Sequence, residues 1–167
     1  PPPGPPPGPG LDERLRQIAA TAAPEEALDP ALRAIVDSTN AHAGAICLFD
    51  PRYGLLRLAA EVGLSDEGCK RLRSVRRGDP DSWDIPLHGL INRRAYLIES
   101  APRNRYVPRL VEAAASVRTV TCVPLYAGST PLGSLVLIAA APRYFTERDI
   151  RILEGPLREL AAIIQAA

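Results

Sequence analysis

Residues 116–164 read SVRTVTCVPLYAGSTPLGSLVLIAAAPRYFTERDIRILEGPLRELAAII, and this stretch decides the fold. Val117 to Tyr126 is rich in β-branched residues and alternates, which predicts a strand. Pro124 has no N–H for a ladder, so the strand needs an unpaired side or a bulge there. Ala127-Gly128-Ser129-Thr130 turns the chain. Leu132 to Ala140 is apolar on both faces, which predicts a central strand covered on both sides. Beyond Phe145 a helix starts, with Thr146 as its cap and Asp149 three residues on, a variant of the capping box. Ile150, Leu153, Leu157, Leu160 and Ile164 recur at three-four spacing and form one apolar stripe. Gly155-Pro156 falls inside it, and a proline there kinks or splits a helix. No stop signal precedes Ala167, so the helix is expected to continue in a longer parent protein.

Outward from this stretch, the chain opens with a second amphipathic segment. Leu11, Leu15, Ile18 and Ala22 form one stripe of a helix that Pro24 ends. Asp29-Pro30 starts another helix, a cap followed by a first-turn proline, with Leu32, Ile35 and Val36 on its apolar face and its end near Asn40. Residues 44–50 (GAICLFD) are apolar on both faces and predict a further central strand, with Ala45, Cys47 and Phe49 opposed to Ile46 and Leu48. Asp50 to Gly54 is a turn. Leu55 to Val62 reads as an edge strand, with Leu56, Leu58, Ala60 and Val62 on one side. Residues 65–77 read as a basic helix and 78–84 as a loop. Ile85 to Ala95 reads as a short helix, Tyr96 to Glu99 as a brief strand, 102–108 as a loop and 109–115 as a helical turn.

The order is helix, helix, strand, strand, an excursion, strand, strand, strand, helix. With a strand ending in Val123-Pro124-Leu125, the Leu132-Gly133-Ser134-Leu135 run and the Phe145-to-Asp149 helix start, it resembles a GAF domain. LRAIVDSTNAHAGAICLFD resembles the family's second helix and first strand. The resemblance covers residues 11–167. It implies an α+β fold: an antiparallel sheet of about five or six strands between helical layers. Terminal helices would cover one face, and the 65–116 excursion would close a ligand pocket on the other.

The 167 residues include 18 prolines, and seven of these lie in residues 1–10 among glycines alone. That segment is expected to be a stiff linker ahead of one domain at 11–167. The lack of any methionine suggests a chain cut from a longer polypeptide. The longest apolar run, Leu135 to Ala141, is far too short to span a membrane. No secretory signal opens the chain. Cys47, Cys69 and Cys122 are widely spaced and only two histidines are present, so neither a disulfide framework nor a metal site is expected. Reduced thiols point to the cytoplasm. Residues 70–109 hold ten basic and four acidic groups, +6, in a chain of net charge +1. That segment suits an anionic ligand or an acidic protein surface, since guanidinium binds phosphate and carboxylate in a forked geometry. Direct nucleic-acid binding is not expected.

Candidate ligand-binding residues are Trp83, His88, Tyr96, Arg118 and Thr121: an aromatic wall with hydrogen-bonding groups. Arg71, Arg73, Arg76 and Arg77 are candidates for an anionic-partner surface, and equally suit the solvated side of a lid helix. Leu11, Leu15, Ile18, Ile150, Leu153, Leu157, Leu160 and Ile164 are candidates for a homodimer or helix relay, although a stripe alone does not separate intrachain from interchain packing. His42 and His88 could ligate haem and Cys69 could hold a bilin, as in some relatives; no motif singles either out, so the cofactor stays unassigned. No catalytic residue is expected. The family's methionine sulfoxide reductases need a pair of lid cysteines, and here only Cys69 lies in the excursion.

Overall fold

The computed structural model describes residues 10–99 and 104–167. The proline-glycine segment, apart from Gly10, and part of the 102–108 loop lie outside the described residues. Helices α1 (Leu11–Thr21) and α2 (Leu28–Thr39) lead into strands β1 (Ala43–Asp50) and β2 (Leu55–Val62). Helix α3 (Asp66–Arg73), strand β3 (Ser74–Val75), helix α4 (Ile85–Asn92) and strand β4 (Tyr96–Glu99) make up the excursion. Strands β5 (Val117–Ala127) and β6 (Thr130–Ala140) and helices α5 (Glu147–Ile152) and α6 (Glu154–Ala166) complete the chain. The sheet has six strands in the order β3-β2-β1-β6-β5-β4, all pairs antiparallel.

β1 and β6 are central, as their two apolar faces require. One face carries Ile46, Val123, Leu125, Leu135, Leu137 and Ala139 against α1, α2 and α6. The other carries Ala45, Cys47, Val120, Cys122, Val136 and Ile138 against the excursion. Leu15, Leu153 and Leu160 are buried within the chain, and Leu11, Ile18, Ile150, Leu157 and Ile164 pack against the same core. The heptad stripe is therefore turned inward, and Arg16 Nη1 joins α1 to Glu159 Oε1 of α6 at 2.9 Å. A dimer built on these helices would have to use their outward residues.

Several elements differ from expectation. β2 is not an edge, because β3 pairs outside it at Leu56 and Arg57. The expected basic helix over 65–77 stops at Arg73, where Ser74 and Val75 leave it to form that pairing and Val75 is buried. β2 also does not keep one face: Cys47 opposes Leu58 and Ile46 opposes Ala60, so Ala59 is an extra residue. The bulge turns Ala60 and Val62 to the terminal-helix face while Leu56 and Leu58 stay on the excursion face. α2 begins one residue before Asp29, which lies in the first turn and pairs with Arg33 at 3.1 Å instead of capping. α4 ends at Asn92 because Arg93 takes a left-handed conformation (φ 50°). Only Ala114–Ser116 of the expected helical turn is helical, as a 3-10 turn.

The remaining punctuation follows the sequence. β4 pairs with β5 only at Thr119–Cys122, so the outer edge of β5 is unpaired by Pro124. Gly155-Pro156 splits the last helix into α5 and α6. The Asp149 carboxylate accepts Thr146 N at 2.7 Å and Thr146 Oγ1 at 3.0 Å. It also accepts Arg143 Nη2 at 2.9 Å, while Arg143 Nε donates to Thr39 O at 3.1 Å, which ties the start of α5 to the end of α2.

Two variants test this framework. A Cβ on Gly133 would overlap the carbonyl of Cys47 across the β1–β6 seam. Gly133→Ala should therefore cost about 1–3 kcal/mol in urea unfolding, the usual cost of overpacking. Burial pushes the Asp149 carboxyl up, but hydrogen bonds from Arg143 and Thr146 outweigh it and hold it below its ordinary value. An acid depressed by folding stabilises above its unfolded pKa, about 3.9, and that stabilisation is lost as pH falls through the folded value. Asp149→Asn should cost about 1 kcal/mol at neutral pH. Its stability should fall less steeply than that of the wild type below about pH 4.

Candidate functional site

The excursion is held together by its own turns. Ser65 caps α3 by accepting Gly68 N at 2.9 Å. The same hydroxyl donates to Arg109 O at 2.7 Å, and Ser65 N donates to Leu110 O at 2.8 Å. A Cβ on Gly68 would overlap the carbonyl of Leu110, so glycine lets α3 lie directly on this backbone. Asn104 makes a compact turn, its Oδ1 accepting Tyr106 N at 2.9 Å and its carbonyl accepting Val107 N at 3.0 Å. Residues 104–116 are thus pinned as a flap over the ends of β5 and β6.

Beneath the flap lies a cavity of about 490 Å³. Val117, Val120 and Ile138 form its floor, and Val107, Pro108 and Leu110 its roof. Among the described residues, Arg109 and Glu112 are its charged lining residues; Arg109 Nη2 donates to Glu112 O at 2.9 Å and lies 3.6 Å from the Glu112 carboxylate. Their side chains stay more than half exposed, so the guanidinium can meet a ligand group at the rim. A size of a few hundred Å³ with apolar walls and few polar groups is that of a small-molecule site.

A second concavity of about 340 Å³ lies between α3, the 80–85 loop and the outer side of the flap. Arg71, Trp83, Asp84, Arg105, Tyr106 and Pro108 line it, and Pro108 also lines the first cavity. Trp83 N donates to Arg71 O at 3.0 Å, which seats the indole at 4% exposure. Its Nε1 has no hydrogen-bond partner among the described residues.

The five expected ligand residues do not meet. None lines the larger cavity, and Trp83 alone lines the second concavity. His88 Nε2 lies 3.1 Å from Asp84 Oδ2, one turn back along α4. The Tyr96 hydroxyl accepts Asn92 Nδ2 at 3.1 Å, and its carbonyl accepts Thr121 Oγ1 at 2.9 Å. Thr121 opposes Leu137, so it faces the terminal helices, away from the excursion. Arg118 is the extra residue of a bulge between Val117 and Thr119; it is exposed, with its guanidinium 5.8 Å from the Tyr144 ring centre. Arg73, Arg76 and Arg77 are exposed and make no ion pair among the described residues. Arg71 is partly held, by Pro80 O at 2.8 Å and Glu67 Oε1 at 3.7 Å. His42 is exposed. No group of three or more metal-ligating side chains occurs among the described residues. Among them no helix is long and apolar enough to cross a membrane.

Sequence reasoning missed the Val107–Glu112 wall. Its signal was the pair Pro102 and Pro108 around a basic loop, but nothing local says which strand a loop folds back upon.

The family model described as GAF domain matches residues 21–165. No curated protein matches the sequence. Among solved structures, the GAF domain from an Acinetobacter phosphoenolpyruvate-protein phosphotransferase is similar, with a TM-score of 0.71 and 18% identity over 93% of this chain and 90% of that one. The phycocyanobilin-bound GAF domain from a cyanobacterial phytochrome has a TM-score of 0.66 and 16% identity over 95% and 96%. The free methionine-R-sulfoxide reductase from Neisseria meningitidis, in complex with its substrate, has a TM-score of 0.66 and 17% identity over 93% and 89%. At such identities these likenesses concern the fold.

The three thiols differ in access. Cys47 and Cys122 are buried in the sheet, and burial pushes Cys47 up to about 12. Cys122 is raised as well, by burial and then by the neighbouring Cys47. Cys69 is partly exposed on α3 and raised by burial and by Glu61 and Asp66. A thiol is nucleophilic as its thiolate, so none of the three is activated. With an aromatic disulfide reagent at pH 8, Cys69 should react slowly in the native protein. Cys47 and Cys122 should react only on unfolding; prompt reaction of two thiols would contradict this arrangement.

Proposed function

The chain belongs to the GAF domain family, a family of sensory and regulatory domains, and we propose that it is a non-catalytic sensor within a multidomain, cytoplasmic, bacterial signalling protein. Its ligand is a small molecule with an apolar body and an anionic group, bound in the cavity under the 104–116 flap. The observation that carries this reading is the cavity itself: about 490 Å³, apolar on floor and roof, with one guanidinium at its rim. The raised thiols support a binding role over a redox one.

The floor also supplies a route outward. Val117 and Val120 are each one residue from a hydrogen bond to the segment that leads into α5. Ser116 O accepts Ala141 N at 2.7 Å, and Thr119 Oγ1 accepts Phe145 N at 2.9 Å. A ligand that shifts these β5 residues moves Phe145, and with it the packing of Ile150, Leu153, Leu157, Leu160 and Ile164 against Leu11, Leu15 and Ile18 on α1. State then passes to an attached output domain or a partner copy as a shift between two packings.

A second reading is a ligand-free docking platform for an acidic protein surface. It is favoured by Arg73, Arg76 and Arg77, exposed and without an ion pair among the described residues. Native mass spectrometry of gently purified protein separates the two. The sensor reading expects the wild type to retain a small molecule, and Val120→Phe, which fills the cavity floor, to carry none while remaining folded. A wild type with no retained mass, insensitive in thermal melts to a library of apolar acids, would favour the platform.

A further inference from the structure

We propose that the second concavity, on the outer side of the flap, is an oxyanion site that takes a phosphate or carboxylate group of a small molecule. This goes beyond the sensor reading, because no residue of the sheet lines this concavity and its charged groups are not those of the larger cavity.

Two cations reach it from different elements, Arg71 from α3 and Arg105 from the flap. Arg105 makes no ion pair among the described residues, and Arg71 makes one, with Glu67 of its own helix. Arg71 Nη1 binds a neutral carbonyl, that of Pro80, at 2.8 Å, and its nearest acid, Glu67, is 3.7 Å away. Arg105 Nη2 binds the Tyr106 hydroxyl at 3.0 Å, with the guanidinium 5.1 Å from that ring's centre. The one carboxylate in the lining, Asp84, already faces His88 Nε2 at 3.1 Å and accepts Gly78 N at 3.5 Å. Guanidinium groups that keep spare donors suit an oxyanion.

The indole supplies an independent sign. Trp83 lines the concavity and is buried, at 4% exposure, and its N–H lacks an acceptor among the described residues. A buried donor without a partner is costly and rare in native proteins. An oxygen of the bound group satisfies it. Nε1 is closed to solvent here, so an oxygen reaches it only with a rearrangement of the lining. Pro108 is a wall of both spaces, so fixing the flap from outside also sets how it sits on the larger cavity.

The protein has a single tryptophan, so its indole resonance and fluorescence report on this site alone. The probes are inorganic phosphate, pyrophosphate and citrate, with chloride at matched ionic strength as control. Wild type should give a saturable emission change and a downfield shift of the indole N–H for at least one oxyanion and for none of the chloride additions. The choice between phosphate and citrate arms identifies the group. Arg105→Gln, at an exposed side chain, should weaken binding at least tenfold, and Arg71→Gln likewise; Arg77→Gln, outside the concavity, should leave it unchanged. Val120→Phe should keep the oxyanion response even where it empties the larger cavity, so the two readings fail separately. An absent or unsaturable response, or equal loss in Arg77→Gln and Arg105→Gln, overturns the site.

Discussion

The sheet depends on the seam between β1 and β6. Strand order makes this pair the only join between two halves, β3-β2-β1 and β6-β5-β4. The register sets Leu48 opposite Gly133 and Ala43 opposite Ile138, residues far apart in the chain. At Gly133 the seam has no room for a Cβ, which would overlap the Cys47 carbonyl. Within the halves, β1–β2 and β5–β6 are local hairpins, which lose little entropy on closing. The seam is the long-range step that turns two ribbons into one surface with two apolar faces.

Those faces carry different loads. On one side, α1, α2 and α6 bury long aliphatic side chains against β1, β5 and β6. On the other, the cover is short elements and loops: two two-turn helices and the 104–116 flap. A cover made of pieces does not fill the surface beneath it. The cavity over Val117, Val120 and Ile138 is the space left where the flap crosses the ends of β5 and β6. Local stability and a binding space are thereby placed on opposite sides of the same strands.

What was legible in the sequence was whatever periodicity and punctuation encode. The double-faced β6, the Thr146–Asp149 helix start and the split at Gly155-Pro156 each rest on neighbours within a few residues. The errors share a cause. Ala60 and Val62 share a parity with Leu56 and Leu58, yet one bulged residue at Ala59 sends them to the other face. Ser74 and Val75 read as helix because β2 is not near them in sequence. Thr121 looked like a pocket residue on a strand whose inward face is set only by its pairing with Leu137.

By itself the sequence determined the α+β class, the element order and the two central strands, since these follow from side-chain pattern and turn chemistry within short windows. Only the tertiary structure decided which side of the sheet each loop covers. It turned the heptad stripe inward against Leu15 and divided the basic segment between solvent and two hollows. It also put Arg109 at one rim and Arg71 beside Arg105 at another. The physical reason is that a loop's resting place is settled by long-range contacts, such as Ser65 with Arg109 and Leu110, and no local periodicity records them.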